Sequence, residues 1–448
     1  MKILTFNLFL FLFCILYSQN YTLNDCIQIA LEGKKTLLSS EIGVLNATKG
    51  LKSSYSGLLP SMQLTGNRGK TVFPEQENIN FDFGNFNLDD FNFGELKLDT
   101  IRTDHLNNFS AGFSINQKLY DGGRSWYEVK QAKRNLEIAK LNYRLIKTEV
   151  ILNVIRSYYG LLQAQELLGI SENNLELSNQ QIALVKKQFD LGVVNKTDLL
   201  KAQVSLGQAR VDLLNKTTNL QNIRRVLFND MGLQDFGQEI IVAESNWDIP
   251  QIPTSAEVLN LLKEKNPSIL ISKTQIELNN ISYKIAKGLR LPLLNTSMNY
   301  SAYGETSKQL VDALSDSWNM GMNISISIPI YTGNSLSIQQ QQAKLSKQQS
   351  EYSYITLLND YRVQAELIRE TLINYSEIIP LNQSVVVSAE EDLKLVRERY
   401  SLGSATILEV LDAQISLIES NSNLINTIHD ARIQEGNLKA LLGTLDSE

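Results

Sequence analysis

Two stretches decide how this chain is read. One is Phe189-Asp190-Leu191-Gly192, followed by Asp198, Leu200 and Ala202-Gln203. The other is Tyr400-Ser401-Leu402-Gly403, followed by Glu409, Leu411 and Ala413-Gln414. They lie 211 residues apart (400 − 189), and the same offset joins Tyr120-Asp121-Gly122 to Tyr331-Thr332-Gly333 and Ala132-Lys133 to Ala343-Lys344. One offset kept over such a span marks duplication of a half-protein, because a short-repeat solenoid would show a far smaller period. Upstream the offset grows to 232, from Leu59-Pro60 to Leu291-Pro292, so the first half carries 21 extra residues (232 − 211). They fall between about Asn67 and Asn108, in a stretch rich in Asn, Asp, Phe and Gly. That stretch has no sustained helical period and reads as an elongated loop, with His105 inside it.

No proline occurs between Pro74 and Pro250, and apolar residues recur at Val129, Ala132, Leu136, Ala139, Tyr143, Ile146 and Val150. Alternating steps of three and four make a coiled-coil seam. The spacing predicts long helices over about Arg124 to Gln188 and Ser335 to Arg399, each about 100 Å at ~1.5 Å per residue. Each ends at its copy of the repeated phrase, where Gly192 and Gly403 can adopt the left-handed conformation that closes a helix. Return helices follow, from about Asn195 to Asp230 and Thr406 to Leu442, with Thr197 and Thr406 as candidate N-caps. Shorter helices are expected over about Leu23 to Tyr55 and Ala256 to Lys287. Pro380 matches Gly169 at the 211 offset and predicts a shared bend, since both residues weaken helix interiors.

Elsewhere the period switches to two. Trp318, Met320, Met322, Ile324, Ile326, Ile328 and Ile330 alternate with Asn319, Gly321, Asn323, Ser325 and Ser327. Phe109, Ala111, Phe113 and Ile115 alternate with Ser110, Gly112, Ser114 and Asn116. Weaker alternation places Met62 and Leu64 against Ser61, Gln63 and Thr65, and Leu294, Met298 and Tyr300 against Asn295, Ser297, Asn299 and Ser301. Such strands suit lipid on one face and an aqueous lumen on the other. Trp318, Met320, Met322, Ile324, Ile326, Phe109 and Phe113 are the expected lipid-facing residues. Four strands are too few for a membrane barrel, and open edges in lipid leave backbone groups unpaired at several kcal/mol each. The chain is therefore expected to oligomerise.

The formal charge of −6, from 42 Lys+Arg against 48 Asp+Glu, gives no footprint for nucleic acid. Lys2 is the only charge before Asp25, and the apolar run Ile3 to Leu16 reads as a signal peptide over residues 1–19. Its removal would leave Cys26 as the only cysteine and no intramolecular disulfide. His105, His429 and Cys26 form no metal-ligand cluster, and no phosphate loop or nucleophile elbow is present, so neither a cofactor nor catalysis is expected. The phrases Phe81-Asp82-Phe83-Gly84-Asn85-Phe86 and Phe91-Asn92-Phe93-Gly94 are expected to pack the loop against a barrel mouth.

Nearly the whole mature chain resembles the TolC-like outer membrane efflux proteins of Gram-negative bacteria. The resemblance runs from Tyr21-Thr22-Leu23 with Cys26 and Ala30-Leu31, through Asn266-Pro267, to Ala440-Leu441-Leu442-Gly443. Its strongest piece is Tyr400-Ser401-Leu402-Gly403 with Glu409-Val410-Leu411-Asp412-Ala413, preceded by Val386-Val387-Ser388-Ala389. The resemblance implies a mainly α chain with a membrane β-barrel portion, in which three chains each give four strands to one twelve-stranded barrel and the long helical hairpins form a periplasmic tunnel. It implies an outer-membrane exit duct, passive and not an enzyme, that docks onto a periplasmic adaptor and an inner-membrane pump and exports small molecules. An exit duct for type I protein secretion would use the same tunnel. A structural coiled coil or adhesin would leave the strands and the duplicated turn phrases unexplained.

By the same resemblance the turns at Gly192 and Gly403 form the periplasmic tip and meet the adaptor. Glu409 and Asp412, three apart and so on one helix face, match the constriction carboxylates. Spacing alone suits a solvated surface equally well. Tyr400, Asp198 and Gln181 match a closed-state network. The position of the gating arginine is Ala405, so that salt bridge is missing or supplied elsewhere. The chain thus divides into a signal peptide (1–19), a first repeat (20–232), a linker (233–252) and a second repeat (253–448).

Overall fold

A computed structural model describes residues 20–72, 105–233, 241–242 and 251–447. The leader-like segment and the aromatic phrases at 81–86 and 91–94 lie outside the described residues. The first half runs β1 (Asn20–Tyr21), α1 (Leu23–Gly33), α2 (Lys35–Ser54), β2 (Ser61–Val72), β3 (His105–Tyr120), α3 (Arg124–Asp190) and α4 (Lys196–Asp230). The second runs β4 (Ile241–Val242), α5 (Ser255–Lys265), α6 (Pro267–Gly288), β5 (Leu293–Gly304), α7 (Ser307–Asp316), β6 (Asn319–Ser327), α8 (Ser335–Ser401) and α9 (Ile407–Leu442). Helices α3 and α8 both have 67 residues, and strands β2 and β5 both have 12. The element starts keep the offset of 232 from α1 to β2 (255 − 23, 293 − 61) and of 211 for α3 and α4 (335 − 124, 407 − 196). Even the helix starts repeat. Thr22 with Asp25 and Thr254 with Glu257 form reciprocal capping boxes that satisfy the first free N–H groups of α1 and α5.

Several boundaries differ from the sequence expectation. The helix expected over Leu23 to Tyr55 breaks at Lys34, which takes an extended backbone (ψ 114). The cause is tertiary: the Lys34 ammonium donates to the Asn229 carbonyl at 2.7 Å and lies 3.8 Å from Asp230. The helix expected over Ala256 to Lys287 breaks at Asn266-Pro267. Pro267 opens α6, where its missing N–H costs nothing, while Asn266 accepts from the Ile269 N–H at 2.9 Å and donates to the Leu441 carbonyl at 2.6 Å. Asn195, not Thr197, is the cap residue of α4. The ends of the supposed loop are strand: Asn67 to Val72 pair with Ser110 to His105, so His105 opens β3. Strand β6 runs Asn319–Ser327, with Trp318 before it and Ile328 and Ile330 beyond it, since Ser327 pairs with Leu293, the first residue of β5, and Pro329 has no N–H to extend the ladder. Pro380 is carried inside α8 and Gly169 inside α3, both unbroken helices.

Two compact units can be distinguished, and each draws on both halves. The first comprises the described residues of 1–48, 134–278 and 347–448 and is helical. It holds one core twice. Cys26, Ala30, Val154, Leu161, Leu227 and Met231 are buried together, and Val258, Leu262, Ala365, Leu372, Leu438 and Leu442 form the second cluster. These are equivalent positions, at 232 for the first pair of each set and 211 for the rest. Each fully buried Leu or Val contributes about 2 kcal/mol, so Leu262→Ala would cost about 3 kcal/mol with the cavity it leaves.

The second unit, 49–133 and 279–346, contains an antiparallel sheet in the order β2-β3-β5-β6. The register places Leu64, Phe113, Tyr300 and Met320 in one row, and Met62, Ile115, Met298 and Met322 in another. Phe109, Ile324 and Ile326 share that apolar face, where Met322, Ile324 and Ile326 are exposed. The opposite face carries Gln63, Thr65, Ser114, Gly112, Asn299, Ser301, Asn323 and Gly321. Within the described residues β2 and β6 each leave one edge unpaired.

Candidate functional site

The helix-to-helix turns are built identically. At the first, Gly192 (φ 72) donates to the Phe189 carbonyl at 2.9 Å and Val193 to that of Gln188 at 2.9 Å. At the second, Gly403 (φ 79) donates to Tyr400 at 3.0 Å and Ser404 to Arg399 at 2.8 Å. This paired pattern closes a helix only where one residue is left-handed, which glycine adopts without a Cβ penalty. Behind the turns Val185, Ala202, Leu393, Val396, Tyr400, Ile407, Val410 and Ala413 form one buried cluster, with Ala405 packed on it. The two hairpins therefore meet at their turn ends.

The Tyr400 hydroxyl donates to Gln188 Oε1 at 2.8 Å. Burial, with the Asp198 carboxylate adding to it, raises the Tyr400 phenol above its usual range, so it stays a neutral donor. Gln181 is buried, but its Nε2 has no partner among the described residues. Gln188, which takes the Tyr400 hydrogen bond, lies seven residues on from Gln181 and so on the same heptad face.

Glu409 sits in the first turn of α9, whose cap is Thr406, with the Glu409 N–H donating to Thr406 Oγ1 at 3.3 Å. Its carboxylate lies 3.6 Å from Arg399 Nη2, and that same nitrogen donates to the Ser404 carbonyl at 3.1 Å. Arg399, which sequence reasoning passed over, thus ties the end of α8 to the start of α9 and gives Glu409 the ion pair that Ala405 cannot. Both side chains are about half exposed, so the pair is worth well under 1 kcal/mol. Asp412 is exposed, with no cation at ion-pair distance among the described residues. Deeper in the bundle, buried Gln414 donates to Asn174 at 2.6 Å and Ser178 at 3.3 Å, joining α9 to α3.

No His, Cys, Asp or Glu cluster among the described residues could hold a metal ion, and no described helix is long and apolar enough to cross a membrane. What the chain offers is a two-faced sheet and paired helical hairpins. The family described as "Outer membrane efflux protein" matches residues 26–233 and 258–444, interrupted between the two halves. The chain belongs to the outer membrane efflux protein family. Outer membrane protein TolC of Escherichia coli K12 is 26% identical over 357 residues, covering 76% of this chain and 70% of that protein. TolC of Vibrio cholerae is 23% identical over 345 residues, covering 76% and 77%. The cation efflux system protein CusC of E. coli K12 is 24% identical over 354 residues, covering 78% and 75%. In fold, a crystal structure of CusC superposes with a TM-score of 0.80 at 19% identity over 96% of this chain and 95% of CusC. The outer membrane protein VceC of V. cholerae gives 0.79 at 18% identity over 94% and 96%. This efflux protein is accordingly an outer-membrane channel component rather than an enzyme.

Proposed function

We propose that this efflux protein works as a homotrimer, three chains closing a twelve-stranded barrel that serves as the passive exit of a tripartite system. The observation that carries this reading is the four-stranded sheet with one apolar face, one polar face of small residues whose charge, Lys118, lies at its end, and an unpaired edge on both β2 and β6 within the described residues. In lipid those edges would each leave a row of unpaired backbone groups, and pairing β6 of one chain with β2 of the next removes both. The apolar residues Met320, Met322, Ile324, Ile326, Phe109 and Phe113 then meet outer-membrane lipid, with Trp318 at the end of the band. The hairpin turns at Gly192 and Gly403 meet a periplasmic adaptor, through which an inner-membrane pump delivers small-molecule substrates. Tyr400 with Gln188 holds the two turn ends together in the closed state, Arg399 with Glu409 braces the second turn itself, and Glu409 and Asp412 ring the passage.

The deciding experiment is a mass measurement on the detergent-extracted protein, with crosslinking to a co-expressed adaptor through cysteines placed beside Gly192 and Gly403. A trimer that crosslinks at both turns is expected. A folded monomer with lipid-inserted strands would falsify the reading.

A further inference from the structure

Helix α7 stands in the second half at the place where the first half has its longer connection, and nothing in the duplicated pattern calls for it. It is held firmly. Thr306 and Gln309 form a capping box at its start, and the Tyr300 hydroxyl donates to the Leu314 carbonyl near its end. Ala302 is fully buried beside it, as is Ala313 within it. A Cβ on Gly304 would fall 2.5 Å from the Leu310 nitrogen, so glycine is what lets the helix lie on the strand. Tyr300, Ala302 and Gly304 all belong to the apolar face of the sheet. The helix therefore rests on the outward surface.

The height at which it rests is given by the register. Gly304 pairs with Phe109, and Phe109 with Arg68, in one row across the sheet. Arg68 is the first charge met on the apolar face along β2, and its guanidinium sits 5.4 Å from the centre of the Phe109 ring. Two rows nearer the middle, Tyr300 stacks on Trp318 with ring centres 5.5 Å apart. Amphipathic aromatics followed by a basic residue mark the water boundary of an apolar band.

The apolar arc of α7 is wider than its seat. Leu310 and Ala313 turn toward the sheet, while Leu314, beside Leu310 on the helical wheel, and Val311, one step further round at the edge of the arc, remain 40% and 64% exposed. Lys308, Asp312 and Ser315 occupy the opposite arc and are exposed. We propose that α7 is an interfacial helix, lying in the headgroup boundary of the outer leaflet with Val311 and Leu314 among acyl chains and Lys308 and Asp312 in water. A helix with a wide apolar arc and a charged face prefers that plane. The occupant is lipid rather than a second copy, because the uncovered arc is continuous with the outward band through Leu314, Tyr300 and Trp318. This rests on the barrel reading above.

The test uses the full chain, in a Cys14→Ser background, reconstituted into phosphatidylcholine–phosphatidylglycerol vesicles. Nitroxide labels are placed at Val311→Cys, Lys308→Cys and Met322→Cys, and collisions are measured with oxygen, which concentrates in lipid, and with a water-soluble nickel chelate. Cys26 is fully buried and does not take the label. The oxygen-to-chelate ratio at 311 is expected to be several-fold above that at 308 and below that at 322. Equal ratios at 311 and 308, with 322 in lipid, overturn the proposal while leaving the barrel intact. Exclusion of both reagents at 311 also overturns it and shows a protein cover. A water-like ratio at 322 overturns the barrel reading itself, and the helix proposal with it.

Discussion

Replacing Gly403 and Gly443 by alanine, one at a time, should separate two helix ends that look alike in backbone. Both are left-handed, at φ 79 and φ 72, and each closes its helix with the same pair of hydrogen bonds. Either alanine pays the left-handed penalty of about 1 to 2 kcal/mol. Their surroundings differ. A Cβ at 403 meets nothing within 4 Å, whereas one at 443 would lie 2.4 Å from the Lys265 carbonyl oxygen and 2.8 Å from the Asn266 nitrogen. Relieving that overlap must shift the α5–α6 junction, at about 1 to 3 kcal/mol for the forced movement. It also strains the Asn266 to Leu441 bond, worth about 1 kcal/mol more. Gly443→Ala should therefore be less stable than Gly403→Ala by about 2 kcal/mol or more. Urea unfolding of the detergent-extracted protein, followed by helical circular dichroism, reads this as a lower midpoint. Equal midpoints, or a better tolerated Gly443→Ala, would refute the packing argument. The open space at 403 leaves backbone strain as the first cost of Gly403→Ala, so lost adaptor crosslinking in that variant, with an unfolding midpoint lowered by no more than that strain, would report on the turn itself.

Tyr400→Phe removes the hydroxyl that donates to Gln188 and should loosen the closed turn end by about 1 kcal/mol per chain, seen as a modest conductance rise in planar bilayers; Gln188→Leu should match it and Gln181→Leu should not. Because Arg399 partly neutralises Glu409 while Asp412 is exposed, Asp412→Ala should lower cation selectivity and divalent block more than Glu409→Ala, and an unchanged double variant would return both to solvated helix surface. At the chain's end, burial pushes the Asp446 carboxyl up, but hydrogen bonds and charge from Arg144 outweigh it and hold it below the usual 3.8. The stabilisation, on the order of 1 kcal/mol, is present above that value and lost as pH falls through the depressed one. Arg144→Gln should then differ from the parent in unfolding midpoint at neutral pH and converge with it in strong acid.

What the sequence made legible was whatever repeats or has a strong period. The 211 offset placed both turn phrases, because a left-handed glycine after a heptad run has few other uses. The clean alternation of β6 and β3 gave both faces of the sheet. Less visible were features decided across the chain. Lys34 carries no helix-breaking signal; its break is made by α4. Asn67-Arg68-Gly69-Lys70 has the composition of a turn, yet a full antiparallel partner holds it in strand. Gln188 and Gln181 share a heptad face, so spacing could not choose between them. Arg399 immediately precedes the repeated phrase but reaches its partner only because the turn folds it back.

The order β2-β3-β5-β6 sets the second strand of one half against the first strand of the other, so the joint between the halves is a β-ladder like those within them. A single half would own just one hairpin, and closing twelve strands would take six such chains around a six-fold axis. In the proposed trimer, duplication turns six equivalent seams into two alternating kinds. One is inside the chain, where the covalent link guarantees its partner, and the other lies between chains, where sequence alone must choose the partner. Once the seams are inequivalent, selection acts on each separately, and a helix such as α7 can be added to every second hairpin around the rim.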